Sequence, residues 1–138
     1  MRAELRYLGE GLKFEGTTES GQMQRIDDAK NEAAPFGPSP LELLLQSAAA
    51  CTAMDVVSIL GKMRRNTTGL QVSVAADRRA EHPRIFTKIH LHFQLTSADA
   101  TEAELEKAIA LSQEKYCSVA GMLRPTVTLS HSWKLHRP

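Results

Sequence analysis

Residues 38–64 read "PSPLELLLQSAAACTAMDVVSILGKMR", and this stretch decides the fold. Ser39 is placed to cap a helix, Pro40 suits its first turn, and Glu42 stands three positions after the cap as in a capping box. The helix is expected to run to about Arg65, where Lys62, Arg64 and Arg65 suit a C-terminus before the "NTTG" break. Its centre, residues 43–60, is apolar or small nearly all the way round. Such a helix needs cover on more than one side. A sheet supplies one side, and a second copy of the chain is the natural source of another, since Ala48, Ala49 and Ala50 permit close approach of a helix. A homodimer is therefore expected; cover by a second helix and loops of the same chain is the alternative.

The bulk composition narrows the classes. With 138 residues and 42% hydrophobic side chains, the chain is expected to form a single domain over 1–138 with a sizeable core. A formal net charge of +1, with only Arg78 and Arg79 as a short basic cluster, argues against a nucleic-acid partner. The N-terminal "MRAELRYLGEG" has no apolar run of signal-peptide length, and Gln46, Ser47, Thr52, Asp55 and Ser58 interrupt the most apolar segment. No membrane partner and a cytoplasmic location are the expectations. The two cysteines lie far apart in sequence, with no short metal-ligand spacing, so no metal is expected. Redox chemistry and inert burial are the two readings left for them.

Outward from the long helix, the opening "AELRYLGEGLKFEGTTESGQMQRID" alternates in short apolar and polar steps broken by glycines, and suits a meander of two or three strands. Residues 27–39 read as the connection to the helix. On the far side, "LQVSVAAD" and "RIFTKIHLHFQLT" alternate and are expected to pair as a hairpin around Glu81, His82 and Pro83, with Ile89, Leu91, Phe93 and Leu95 facing inward. A second amphipathic helix over about 101–116 places Leu105, Ala108, Ile109, Ser112 and Tyr116 on one side. A tight turn or short helix, "CSVAGML", follows. A last strand then carries Val127, Leu129, His131, Trp133 and Leu135 on one face. The fold class is α+β, with antiparallel sheet packed on a long central helix and a second helix.

The polar residues within the apolar helix are the candidates for chemistry. Steps of three and four align Ser47, Cys51, Asp55, Ser58 and Lys62, so Cys51 and Asp55 are neighbours one turn apart. A free cysteine is often merely a small buried hydrophobe, but a carboxylate among Met54, Val56 and Val57 must be paired, hydrogen-bonded or open to a water-filled pocket. Cys117 precedes a turn whose backbone N–H groups could favour a thiolate. His90 and His92 fall on the polar face of a strand and read as solvated. His131 falls on an apolar face, as a core histidine or as a base for one of the thiols.

Two segments together, "PSPLELLLQSAAACTAMDVVSIL" and "EKYCSVAGML", resemble the OsmC/Ohr family of thiol-dependent peroxidases, most closely its YhfA-like branch, in which a Cys-x-x-x-Asp-Val-Val pattern is followed by a Tyr-Cys-Ser-Val segment. The resemblance extends over nearly the whole chain. It implies the OsmC-like fold, as a domain-swapped homodimer with two sites at the subunit interface. It implies that Cys51 attacks an organic hydroperoxide and becomes a sulfenic acid, that Cys117 resolves it as a disulfide, and that a dithiol reductant reopens the bond. No cofactor is implied. The family's peroxidases carry a Glu at the position of Leu41 and an Arg from the early strands; here Glu42 is the nearest acid, and Arg6 and Arg25 are the arginines available. The candidate catalytic set is Cys51, Cys117, Glu42 and Asp55. The alternative is a non-catalytic binding or redox-sensing protein that holds an apolar small molecule.

Overall fold

The computed structural model describes residues 1–28 and 34–138, so the middle of the 27–39 connection lies outside the described residues. The chain forms two compact units, residues 1–45 and 46–138.

The first unit is an antiparallel meander of β1 (Ala3–Tyr7), β2 (Phe14–Thr18) and β3 (Met23–Ile26), in that order across the sheet. Its turns use Gly9 and Gly21 at φ of 84° and 81°, a region open to glycine at little cost. After β3 the buried Asp27 ties down the returning chain. Its carboxylate accepts the N–H groups of Asp28 and Phe36, and its own N–H donates to the Pro38 carbonyl. Gly37 lies against the β3 backbone so closely that a Cβ there would be 2.4 Å from the Arg25 carbonyl oxygen.

The expected capping box starts the long helix, α1 (Pro40–Lys62): the Ser39 hydroxyl accepts the Glu42 N–H at 3.3 Å, and the Glu42 carboxylate accepts the Ser39 N–H at 2.7 Å. The helix ends slightly earlier than expected, because Arg64 turns into the left-handed region at φ 61°. Arg64 N–H then donates to Gly61 and Arg65 N–H to Leu60, the two bonds of a Schellman closure. By length and apolarity α1 would suffice to cross a membrane, a test that buried core helices also pass. Its buried positions are Ala48, Thr52, Val56 and Leu60, a single stripe at steps of four.

The second unit holds the main core. β4 (Thr67–Arg78) and β5 (Phe86–Ser97) pair antiparallel as expected, and Ile89, Leu91, Phe93 and Leu95 are buried on the inner face of β5. β6 (Thr128–His136) lies on the other side of β5 but runs parallel to it, with Leu129 beside Ile89 and Trp133 beside Phe93. A purely antiparallel sheet was the expectation for this unit. The helical connection after β5 carries the chain back to the end from which β5 began, as parallel pairing requires. That connection consists of α2 (Glu102–Leu111), a π turn (Ser112–Tyr116) and α3 (Ser118–Leu123). Leu105, Ala108 and Ile109 of α2 are fully buried, as the periodicity predicts. Tyr116 is not: it is 52% exposed, because the π turn interrupts the helical phase one turn earlier.

Candidate functional site

The site is assembled by α1 and the segment that follows α2. The π turn inserts an extra residue into the helix, and its closing bond runs from Cys117 N–H to the Ser112 carbonyl at 2.8 Å. Cys117 then becomes the N-cap of α3, where its Sγ accepts the Ala120 N–H at 3.3 Å. Cysteine is an unusual cap, but a sulfur in this position receives a backbone donor as a Ser oxygen would.

Cys51, on α1, is half-buried, and its thiol meets both the Cys117 thiol and the Val119 N–H. Two cysteines distant in sequence are thus brought into contact at the start of α3. Burial pushes the Cys51 thiol above its ordinary value, and the hydrogen bond with Cys117 pushes it the same way. The Val119 N–H works against both, while the negative charges available to Cys117 and Asp55 add smaller upward contributions. Within residues 46–138, no Arg, Lys or His contributes to this balance.

Asp55 answers the question of its burial through a partner on the π turn: its carboxylate accepts the Ser112 hydroxyl at 2.7 Å. One residue on, Gln113 donates its side-chain amide to the Thr52 hydroxyl, also at 2.7 Å. Thr52 and Ser112 are fully buried and Gln113 nearly so. Next to this pair of bonds lies a cleft of about 380 Å³ lined by Asp55, Ser58, Ile59 and Lys62 of α1, with Leu111 and Tyr116 opposite. Its walls mix apolar side chains with one carboxylate and one ammonium, a combination suited to a small organic molecule with a polar end.

The other candidates have separate partners. The Glu42 carboxylate is held in the helix cap. Arg6 pairs with Glu15 at 2.8 Å across the meander, and Arg25 lies over the ring of Phe36. His131 faces Glu106 of α2 at 3.0 Å, and the same carboxylate accepts the indole N–H of Trp133. These two donors hold Glu106 below the usual carboxylate range, the bond to His131 contributing most. His90 and His92 share hydrogen bonds with Ser130 and Ser132 on the polar face of β5 and β6. Among the described residues no group of three or more His, Cys, Asp or Glu could hold a metal ion.

Sequence reasoning placed Ser112 on the inner face without a role and passed over Gln113 and Thr52. A signal was present. Consecutive polar residues, Ser112 and Gln113, stand where the apolar stripe of α2 should continue, and buried polar groups require partners.

Known proteins resemble this chain in sequence and in fold. The OsmC-like protein family model matches residues 29–132. Protein YhfA of Escherichia coli K12 is 42% identical over 135 residues, covering 98% of each chain. The crystal structure of a hypothetical protein from Aquifex aeolicus VF5 has a TM-score of 0.87 at 31% identity, covering 99% of this chain and 96% of that one. The organic hydroperoxide resistance protein OhrB of Bacillus subtilis shares the fold, with a TM-score of 0.64 at 17% identity and 96% coverage of both chains. From its helix-borne Cys51 to the turn that carries Cys117, and along most of its length, this chain belongs to the OsmC-like family.

Proposed function

We propose that this protein reduces organic hydroperoxides through its two thiols, as a cytoplasmic homodimer that contributes to defence against oxidative stress. The observation that carries the reading is the contact between Cys51 and Cys117, each with a backbone N–H directed at its sulfur. Cys51, the more accessible of the two, attacks the distal peroxide oxygen as a thiolate. The O–O bond breaks, the alcohol leaves with a proton, and Cys51 becomes a sulfenic acid. Cys117 attacks that sulfur, water is lost, and the resulting disulfide is returned to two thiols by a dithiol reductant. Asp55 orders the Cys51 turn through Ser112 and adds a small upward push to the Cys51 thiol. Glu42 serves in the helix cap. The fold shared with OhrB, an organic hydroperoxide resistance protein, supports the choice of substrate class.

A second reading draws on the lack of any cation from residues 46–138 in the Cys51 balance, together with the cleft beside Asp55. Both features suit a binding or redox-sensing protein that holds a small apolar molecule without turnover. One experiment separates peroxide chemistry at the thiols from binding alone. Reduced protein receives one equivalent of cumene hydroperoxide, and intact mass and free thiols are followed in the parent, Cys51→Ser and Cys117→Ser. An intramolecular disulfide in the parent, no reaction in Cys51→Ser and a sulfenic acid in Cys117→Ser are expected. Survival of both thiols in a large excess of peroxide would discard the peroxidase reading in favour of the binder.

A further inference from the structure

We infer that the π turn is the element that holds Cys117 against Cys51, and that Ser112 and Gln113, acting through Asp55 and Thr52, are positioning residues for disulfide closure. The inference rests on the thiol chemistry proposed above and extends it from the cysteines to the elements that present them.

A regular α-helix continued beyond Leu111 would keep the inward face at Leu105, Ala108, Ile109 and Ser112, and would next turn Tyr116 inward. The π turn adds a residue to that cycle. Tyr116 is displaced to the outside, at 52% exposure, and Cys117 takes the buried place at 4%. A widened turn is less favourable than the α-helix it interrupts and persists where its surroundings hold it. Here two side-chain bonds do so, Ser112 to Asp55 and Gln113 to Thr52, both at 2.7 Å. Their acceptors are Thr52, next to Cys51 on α1, and Asp55, one turn after it, so the bonds attach the π turn to the stretch of helix that carries the attacking sulfur. The backbone bond from Cys117 N–H to Ser112 then transmits that attachment to the second sulfur.

The step they serve is the second one. Cys117 attacks the Cys51 sulfenic sulfur; the S–S bond forms, the S–O bond breaks, and the departing hydroxide takes up a proton to leave as water. Its rate depends on how often the two sulfurs meet in line, which fixed geometry raises. The first step, between Cys51 and the peroxide, does not draw on the position of Cys117 in this way.

The test uses Thr52→Val, Thr52→Ser and the double variant Thr52→Val/Gln113→Leu. Rapid quench after one equivalent of cumene hydroperoxide gives the rates of sulfenic acid formation and of disulfide closure. Equilibration in dithiothreitol redox buffers, without peroxide, gives the stability of the disulfide. Thr52→Val should close roughly tenfold more slowly, with sulfenic acid formation unchanged, and Thr52→Ser should close at the parent rate. In the double variant both buried polar partners are removed together, so thermal stability should recover toward the parent while closure stays slow and the disulfide stays easier to reduce. If Thr52→Val does not fold, the double variant supplies the same comparison. Closure at the parent rate and an unchanged dithiothreitol equilibrium in the double variant would overturn the inference. Should the parent resist hydroperoxide altogether, the peroxidase reading fails, and the dithiothreitol equilibrium still decides whether these residues position the pair.

Discussion

Cys51 takes no cationic neighbour from residues 46–138, and its thiol is raised above the ordinary value, chiefly by burial and by its bond to Cys117. Because the thiolate is the nucleophile, its oxidation rate should climb with pH past the point where an ordinary cysteine has reached its plateau. Asp55→Asn keeps an acceptor for Ser112 and removes the charge, so the curve should move to lower pH and the rate at neutral pH should rise roughly two- to fivefold. Stopped-flow kinetics across the neutral and alkaline range measure both; a profile identical to that of the parent would remove Asp55 from the balance. Another single residue makes a purely structural demand. A Cβ on Gly37 would meet the Arg25 carbonyl at 2.4 Å, and that carbonyl belongs to backbone that cannot swing away as a side chain can. Gly37→Ala is expected to destabilise the protein by about 1–3 kcal/mol in chemical denaturation.

Elements carry a different set of consequences. Glu104 completes the capping box of α2 with Thr101 and also binds Arg65, which leaves the Schellman turn of α1 to meet it at 2.8 Å. Chiefly through the Arg65 bond, its carboxyl falls from 4.5 to about 2. In the unfolded chain the same group takes its proton near the ordinary value, so between these limits the unfolded state binds more protons than the folded one. The contribution is therefore complete above the unfolded value and is lost as pH falls toward about 2. Glu104→Gln should lower the thermal midpoint at neutral pH and flatten its fall with acid, so that the two proteins converge at the acid end. The capping signals of α1 and the alternation of β5 were legible because they are set by neighbours in sequence. The π turn was not. Its wide turn is held by Thr52 and Asp55, which belong to another element, and no local periodicity reports such partners.

For the whole molecule, the apolar helix remains the main constraint. Only one stripe of α1 is buried, while Met54 and Val57 are 72% and 44% exposed. Apolar surface of this kind on a central helix is the observation behind the proposed homodimer. Val57→Glu, with Met54→Glu as a second variant, should halve the mass found by sedimentation. A parent that sediments at the single-chain mass would refute the dimer outright. The parallel pairing of β6 with β5 also belongs to this scale. The last strand's inner face was readable from its alternation, but its direction depends on where the α2, π-turn and α3 segment returns the chain.

The sequence by itself determined the family, the α+β class, the start of the long helix, the inner faces of β5 and α2, and the identity of the two thiols. Each depends on residue type, spacing or a local capping interaction, which act over a few positions. Tertiary structure alone decided that Cys51 and Cys117 meet, that Asp55 is answered by Ser112 and Thr52 by Gln113, that Tyr116 turns outward, and that Glu106 rather than a thiol engages His131. These depend on which surfaces the chain brings together over long separations. There a buried polar group is satisfied by whichever partner packing supplies, and its own neighbours in sequence do not name that partner.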